Sequence, residues 1–432
     1  MVEDRVMSFL SANRLLASQV DEKDVLSFFA SEMEKGLAGE ESSLAMIATY
    51  ATETESVRPG EKVIVLDAGG TNFRTCLISF DEDGKSIIED FQKTSMPGVK
   101  SEVSAAQFFG ILADNVERLI DKSDRIGFCF SYAATITEDH DGIPIVFSKE
   151  VKAPEVIGKP IVKGLLAELE RRGHDVSKKK YSLVNDTVAT LLACRAGYHG
   201  PSSGSIGFIL GTGTNTAYSE EIRQIGKIHS TQNGRMIVNV ESGNLALNLG
   251  PADESFFATT KNPGNYHFEK MISGAYIGPF AQHVITLAIG EGIFSKDFAE
   301  RFAKIGPLST TEMSYYLEDC HRKDYKLVEC VGDNEDDALA LWLILRSIIE
   351  RASKLTALNL TAAIIRTDVG TNPRYPVVIN ADGTTFYKTA FMEEYTKYYL
   401  FEILEKGHGR FCHMVRIDDS PALGAAIAGL SV

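Results

Sequence analysis

The 432-residue sequence predicts an α/β protein whose two similar lobes face a cleft. Three observations carry that expectation. From residue 62 onward, short β-branched runs alternate with helical windows, the pattern of a sheet covered on its faces. A strand, Gly/Thr loop, strand device occurs twice, as Leu66-Asp67-Ala68-Gly69-Gly70-Thr71-Asn72 and as Leu210-Gly211-Thr212-Gly213-Thr214-Asn215. No Pro- or Ser-rich linker and no low-complexity segment separates the halves, so the lobes are interwoven rather than strung in series.

Apolar residues at Val6, Phe9 and Leu10, at Val25, Leu26, Phe28 and Phe29, and at Leu44, Met46 and Ile47 have helical spacing, so residues 1–51 read as helices with polar breaks. The β-branched run 63–66 and the run 73–80 are strands joined by the Asp67–Asn72 turn as a hairpin. Extended chain follows around 87–92. A helix over 105–120, a buried strand over 126–130, a helix over 156–171 and a strand over 181–184 come next, and a helix starts at Thr187. The second half opens with a strand over 206–210, whose return strand begins at 216–218. Residues 268–366 read as mostly helical, with one long core helix over 339–360. A last strand covers 376–379, and the small residues of 421–430 form a helix able to pack tightly on a sheet.

Lys plus Arg number 44 against 59 Asp plus Glu, a net charge of −15, which opposes attraction to nucleic acid or to an anionic membrane surface. Neither is an expected partner. An anionic ligand therefore needs a local positive site of backbone N–H groups, a metal ion or a few cations. The six cysteines, Cys76, Cys129, Cys194, Cys320, Cys330 and Cys412, include no Cys-x-x-Cys pair; they read as free thiols in a reducing compartment, not as a disulfide frame or zinc site. The first 16 residues mix acidic and basic groups without an apolar stretch, and no apolar run approaches the roughly 18 residues of a membrane span. A soluble cytoplasmic protein is expected.

A Gly/Thr turn between strands leaves N–H groups pointing outward, and glycine lets a phosphate approach the backbone closely. Two related turns point to a nucleotide-phosphate site. Asp67, at the end of its strand, suits a hydrated Mg²⁺, which keeps its waters and takes one or two carboxylates; its alternative is a turn cap. Asn185-Asp186-Thr187 lies between a strand end and a helix start, where ligands gather in α/β proteins. Asp186 suits a general base for an attacking hydroxyl, and an ordinary N-cap is the competing reading. The sequence holds no P-loop, no Gly-x-Gly-x-x-Gly after a strand and no His-Glu-x-x-His. Gly200-Pro201-Ser202-Ser203-Gly204 has the Gly-x-Ser-x-Gly form but precedes a strand, which excludes a nucleophile elbow.

Taken together, these segments resemble the hexokinase family, sugar kinases of the two-lobed actin-like ATPase (ribonuclease H-like) fold with a central cleft, in order from about Lys62 to the C-terminus. The run from Leu66 to Arg74 is similar to the family's first phosphate loop, and Gly211 to Asn215 to its second. Asn185-Asp186-Thr187 resembles the segment holding the catalytic Asp and a sugar-binding Asn. Phe130-Ser131 is similar to Phe-Ser-Phe-Pro, Phe147-Ser148-Lys149 to Trp-Thr-Lys, and Glu241 and Glu269 to the two carboxylates that grip sugar hydroxyls. Gly383-Thr384 resembles the adenosine loop. The chain departs from the family at Tyr132-Ala133 for Phe-Pro, at Ser148 for Thr, at Ser242-Gly243-Asn244-Leu245 for Trp-Gly-Ala-Phe, and at Ser420-Pro421-Ala422-Leu423-Gly424 for Ser-Gly-Lys/Arg-Gly.

The resemblance implies an ATP-dependent hexokinase acting on the 6-hydroxyl of glucose or a similar hexose. It casts Asp186 as catalytic base and Ser131, Ser148, Lys149, Asn185, Asp186, Asn215, Glu241 and Glu269 as the sugar site. It gives ATP to Asp67, Gly69, Gly70, Thr71, Asn72, Arg74, Gly211, Thr212, Gly213, Thr214, Gly383 and Thr384, with Mg²⁺ held indirectly through Asp67. It implies helices over 1–60 on the large lobe, a small lobe over 61–187 completed by 421–432, and a large lobe over 188–420; a homodimer is compatible with it. The alternatives are a catalytically silent sensor of hexose or nucleotide on the same fold, and a kinase for mannose, fructose or an N-acetylated sugar. A kinase of the repressor/ORF/kinase group is a further rival, but the zinc-binding Cys cluster of many of its members is missing.

Overall fold

The computed structural model describes residues 2–53, 59–147, 151–230 and 232–432. In chain order its strands are β1 (Ile47–Ala48), β2 (Val63–Ala68), β3 (Asn72–Phe80), β4 (Ser86–Ser95), β5 (Arg125–Phe130), β6 (Ala134–Ile136), β7 (Gly142–Pro144), β8 (Lys180–Val184), β9 (Gly204–Leu210), β10 (Thr214–Glu221), β11 (Arg235–Asn239), β12 (Val377–Asp382) and β13 (Cys412–Val415). One sheet has the order β4-β3-β2-β5-β8 and the other β1-β11-β10-β9-β12-β13, while β6 and β7 pair separately.

The two sheets share a plan. In each, a Gly/Thr hairpin, β2–β3 or β9–β10, is antiparallel. Beyond its first strand lie two parallel neighbours, β5 and β8 or β12 and β13. β2 is buried along its whole length, as a strand covered on both faces must be.

Between the sheets lies a helix pair. The helix Asp186–Gly197 and the C-terminal helix Ser420–Leu430 share one apolar cluster with Val63, Val65 and Cys129 of one sheet and Ala217 and Ile237 of the other. Missing side chains make the approach possible. A Cβ on Gly127 would sit 1.8 Å from the Ala425 carbonyl oxygen, one on Gly424 1.9 Å from that of Ala189, and one on Gly207 2.2 Å from that of Thr187. The helix that begins at Asp186 is thereby held between the larger sheet and the C-terminal helix, which in turn packs on the smaller sheet.

The larger sheet packs on the 33-residue helix Glu335–Thr367. Helices Val2–Ala12 and Glu22–Ala38 join the same core through Val6, Phe9, Leu10, Val25 and Phe29. Within it Arg351 and Asp253, 1% and 0% exposed at their side chains, form a two-pronged ion pair at 2.7 and 2.9 Å. Breaking such a pair strands a buried charge. Asp253→Ala is expected to cost about 3–5 kcal/mol, read as a shift of the urea midpoint at constant slope.

Several boundaries differ from the sequence expectation. The Leu44–Ile47 cluster is not helical: Ile47 and Ala48 form β1, antiparallel to β11. Four apolar residues are too few to nucleate a helix, and a distant strand supplies their hydrogen bonds. The expected helix over 156–171 begins at Ile161, because Pro160 disfavours helical geometry at the residue before it. The helix at 105–120 ends at Val116, with a tighter turn at Ile120–Lys122. The strand at 376–379 continues to Asp382 and is not the last, since β13 follows it as an edge strand. Among the described residues no helix is long and apolar enough to cross a membrane. All six cysteines are free, four of them buried and Cys320 and Cys412 half-buried.

Candidate active site

The two hairpin loops, the Asn185–Thr187 turn and the segment after β11 supply the site. At the first loop, β2 and β3 place Asp67 opposite Arg74. The Arg74 guanidinium donates to Asp67 Oδ2 at 2.5 Å. Burial pushes the Asp67 carboxyl above the usual range; Arg74 opposes that shift, and the Asp186 charge adds to it. Arg74, expected at the nucleotide, is thus also the partner that keeps a buried carboxylate in place.

At the second loop the carbonyls are tied from behind. Gly211 O accepts from Gly274 N at 2.9 Å and from Thr385 Oγ1 at 2.8 Å, and Thr212 O accepts from Ala275 N at 3.1 Å. In a trans peptide the C=O and N–H point to opposite sides, so pinning these carbonyls turns the amides of Thr212 and Gly213 the other way. Gly383, with φ at 118°, follows β12 directly beside this loop: a Cβ there would meet the Leu210 carbonyl oxygen at 2.2 Å. Thr384 beside it is exposed. The adenosine-loop candidate and the second phosphate-loop candidate therefore adjoin.

Asn185, not Asp186, is the N-cap. Its side chain accepts from Thr187 N at 2.9 Å. Asp186 occupies the first helical position and also receives Thr187 N, at 2.9 Å. The capping reading of Asp186 is displaced by one residue, and a carboxylate at a helix N-terminus is favoured by the helix dipole.

Across the cleft, Asn215 and Glu241 form a cluster with Asn239. Asn215 Nδ2 donates to Asn239 Oδ1 at 2.7 Å and to Glu241 Oε1 at 3.0 Å, and Asn239 Nδ2 donates to Glu241 Oε1 at 2.8 Å. Glu241 sits in the left-handed region with φ at 58°. Burial is the main cause raising its carboxyl above the ordinary value, the Asp186 charge adds to the rise, and the two amides oppose it. Behind this cluster Asn359 of the long helix donates to Thr216 Oγ1 at 2.7 Å, and Thr216 and Ser242 hydroxyls lie 3.2 Å apart. Ser242, standing where the family pattern has Trp, thus joins a buried polar chain. Asn359 itself is 2% exposed.

A small cavity between the sheets is lined by Phe130, Tyr132, Asn185, Asn239 and Glu241 among others. A larger one, bounded by Leu26, Arg223, Ile365, Arg366 and His408, shares no residue with it. Ser131 N donates to Ala68 O at 3.1 Å, placing Ser131 at the end of β2. Glu269 accepts from Thr214 N at 3.1 Å, and a Cβ on Gly213 would lie 2.5 Å from Glu269 Oε2. Ser148, Lys149 and Glu150 lie outside the described residues; Phe147 before them packs on the rings of Phe130 and Tyr132.

Sequence reasoning placed Ser131, Asn185, Asp186, Asn215, Glu241 and Glu269 around one cleft, but missed Asn239, Thr216 and the Tyr132 hydroxyl. Alternation held the signal for Asn239, two residues before Glu241 along an extended run.

Two family models, both described as hexokinase, match residues 9–196 and 205–431. The chain belongs to the hexokinase family. It is 31% identical to human Hexokinase-3 over 82% of this chain but 39% of that protein, so it spans well under half the length of that relative. To Hexokinase-2 of Solanum tuberosum it is 29% identical over 95% of this chain and 87% of that protein. In three dimensions it is similar to a hexokinase from Schistosoma mansoni complexed with glucose, with a TM-score of 0.78, 22% identity and 100% coverage of both chains. A ROK hexokinase from Thermus thermophilus matches at TM-score 0.53 and 16% identity over 85% of this chain and 97% of that one. These likenesses establish the fold shared by hexokinases and ROK sugar kinases, the actin-like ATPase architecture.

Proposed function

We propose that the protein is an ATP-dependent hexokinase that transfers the γ-phosphoryl group to the 6-hydroxyl of glucose or a similar hexose. The observation that carries this reading is the cleft itself: Asp186 begins its helix directly after Asn185, which lines the small cavity with Asn239 and Glu241, near enough to both Asp67 and Glu241 for its charge to raise both carboxyls. A hexose presents several hydroxyls, and carboxylates with amides supply the acceptors and donors that match them. Glu241, Glu269, Asn185, Asn215 and Ser131 form such a set, with Ser148 and Lys149 proposed beside them.

Phosphoryl transfer asks the protein mainly for positioning and charge stabilisation. Asp186 accepts the proton of the 6-hydroxyl as that oxygen attacks phosphorus. The amides of the two loops receive the phosphate oxygens, and Gly383-Thr384 borders the nucleoside. Among the described residues no group of three or more His, Cys, Asp or Glu side chains is arranged to hold a metal ion. The donor set fits Mg²⁺ carried in on the nucleotide, because this ion keeps its waters and takes few protein carboxylates, and Asp67 is the carboxylate beside the loop. When bound, Mg²⁺ supplies neutralisation of the β- and γ-phosphate charge. Closure of the lobes on sugar excludes water, which would otherwise take the hydroxyl's place. Free thiols fit a cytoplasmic, reducing setting.

The test is a coupled assay of ADP release with glucose, mannose, fructose and N-acetylated hexoses. Turnover that depends on a hexose supports the reading and names the preferred sugar. Hexose binding without ADP release would point instead to a silent sensor.

A further inference from the structure

We propose that Tyr132 is a positioning residue that orients the peptide planes of the first phosphate loop from the sugar side of the cleft; this rests on the kinase reading above. Tyr132 follows Ser131 in the segment that leaves β5. Its ring is 2% exposed and packs against Phe130, with centroids 5.0 Å apart, and Phe147, at 5.2 Å. Those contacts fix where the hydroxyl lies. It lies 2.8 Å from Gly69 O and 3.1 Å from Gly70 O, its single proton shared between the two carbonyls.

The consequence follows from peptide geometry. With the carbonyls of Gly69 and Gly70 drawn toward Tyr132, the amides of Gly70 and Thr71 point to the opposite side of their peptide planes. Glycine puts little steric restriction on such a loop, so an external anchor must select one orientation. The neighbouring backbone bonds, Gly69 N to Asn72 O at 3.0 Å and Met96 N to Thr71 O at 2.9 Å, belong to the flanking peptides and do not include the two that Tyr132 holds. In the second loop the same task falls to backbone amides and Thr385. In the first loop the anchor belongs to the sugar segment.

Tyr132→Phe keeps the ring packing and removes the anchor. We expect the KM for ATP to rise about 3- to 10-fold, the worth of one hydrogen bond, with the hexose KM within about 2-fold of wild type. In the ligand-free proteins, amide exchange over residues 66–76 should be faster in the variant, a readout that needs no turnover. An ATP KM and loop exchange both equal to wild type would overturn the proposal, as would a rise confined to the hexose KM. A wild-type protein that phosphorylates no hexose would sink the kinase reading alone and leave the exchange comparison to decide on Tyr132.

Discussion

Replacing Asp186 with alanine should lower hexose-dependent turnover by about 10²–10⁴-fold, the usual worth of general-base assistance, while hexose KM stays within a few-fold of wild type. The helix it begins should survive. Asn185 retains its cap on Thr187 N, and the packing of Gly207 and Gly424 against this helix involves backbone atoms that the substitution leaves in place. Loss of turnover without loss of fold is therefore the expected signature, with steady-state kinetics and circular dichroism as the two readouts. The substitution also removes a negative charge that raises the carboxyls of Asp67 and Glu241. Hexose binding by the Asp186→Ala protein should accordingly persist to lower pH than in wild type.

Glu241→Gln should weaken hexose binding by more than 10-fold and at the same time raise the thermal stability of the ligand-free protein at pH 7. One carbonyl oxygen of glutamine can still accept from both Asn215 and Asn239, so the cluster keeps its bonds. What is lost is a buried charge. The sign follows from linkage: the Glu241 carboxyl is raised in the folded protein, so the folded state holds its proton more tightly than the unfolded chain does. That group therefore lowers stability as pH rises through its folded pKa. The stability gap between variant and wild type should be widest near neutrality and close as the pH falls through the raised pKa, where the wild-type carboxyl becomes neutral. Scanning calorimetry between pH 4 and 7 reads the gap, and calorimetric titration with glucose reads the binding. A variant less stable than wild type at pH 7 would contradict the assignment of burial as the dominant effect on Glu241.

What the sequence disclosed was local, and what it withheld depended on distant partners. Both hairpins were legible because a Gly/Thr run between β-branched runs permits little else, and β2–β3 and β9–β10 have the expected pairing. The core helix was legible from its apolar stripe over 339–360, though not to its full extent of Glu335–Thr367. The strand β1 was not: Leu44-Ala45-Met46-Ile47-Ala48 is apolar throughout and too short for its alternation to stand out from helical spacing, and its extended form comes from β11, which lies far along the chain. Nor was β13, whose Cys412-His413-Met414-Val415 reads as a mixed edge with half-exposed positions. At the site, composition revealed which residues have the right chemistry, but not which of Asn185 and Asp186 caps the helix, since both suit the position. Asn239, Thr216 and Asn359 act through contacts made across strands and from a core helix, and Tyr132 acts through carbonyls more than 60 residues away. Such roles exist only once the fold has assembled.

The most direct measurement is a crystal structure of the protein with glucose and a non-hydrolysable ATP analogue bound. The account predicts an Asp186 carboxylate oxygen about 2.6–3.2 Å from the sugar 6-hydroxyl, with that hydroxyl facing the terminal phosphate and the phosphate resting on the amides of the Gly69–Asn72 and Gly211–Thr214 loops. A glucose bound with another group at its 6-hydroxyl, or an Asp186 side chain turned away from the sugar, would contradict it.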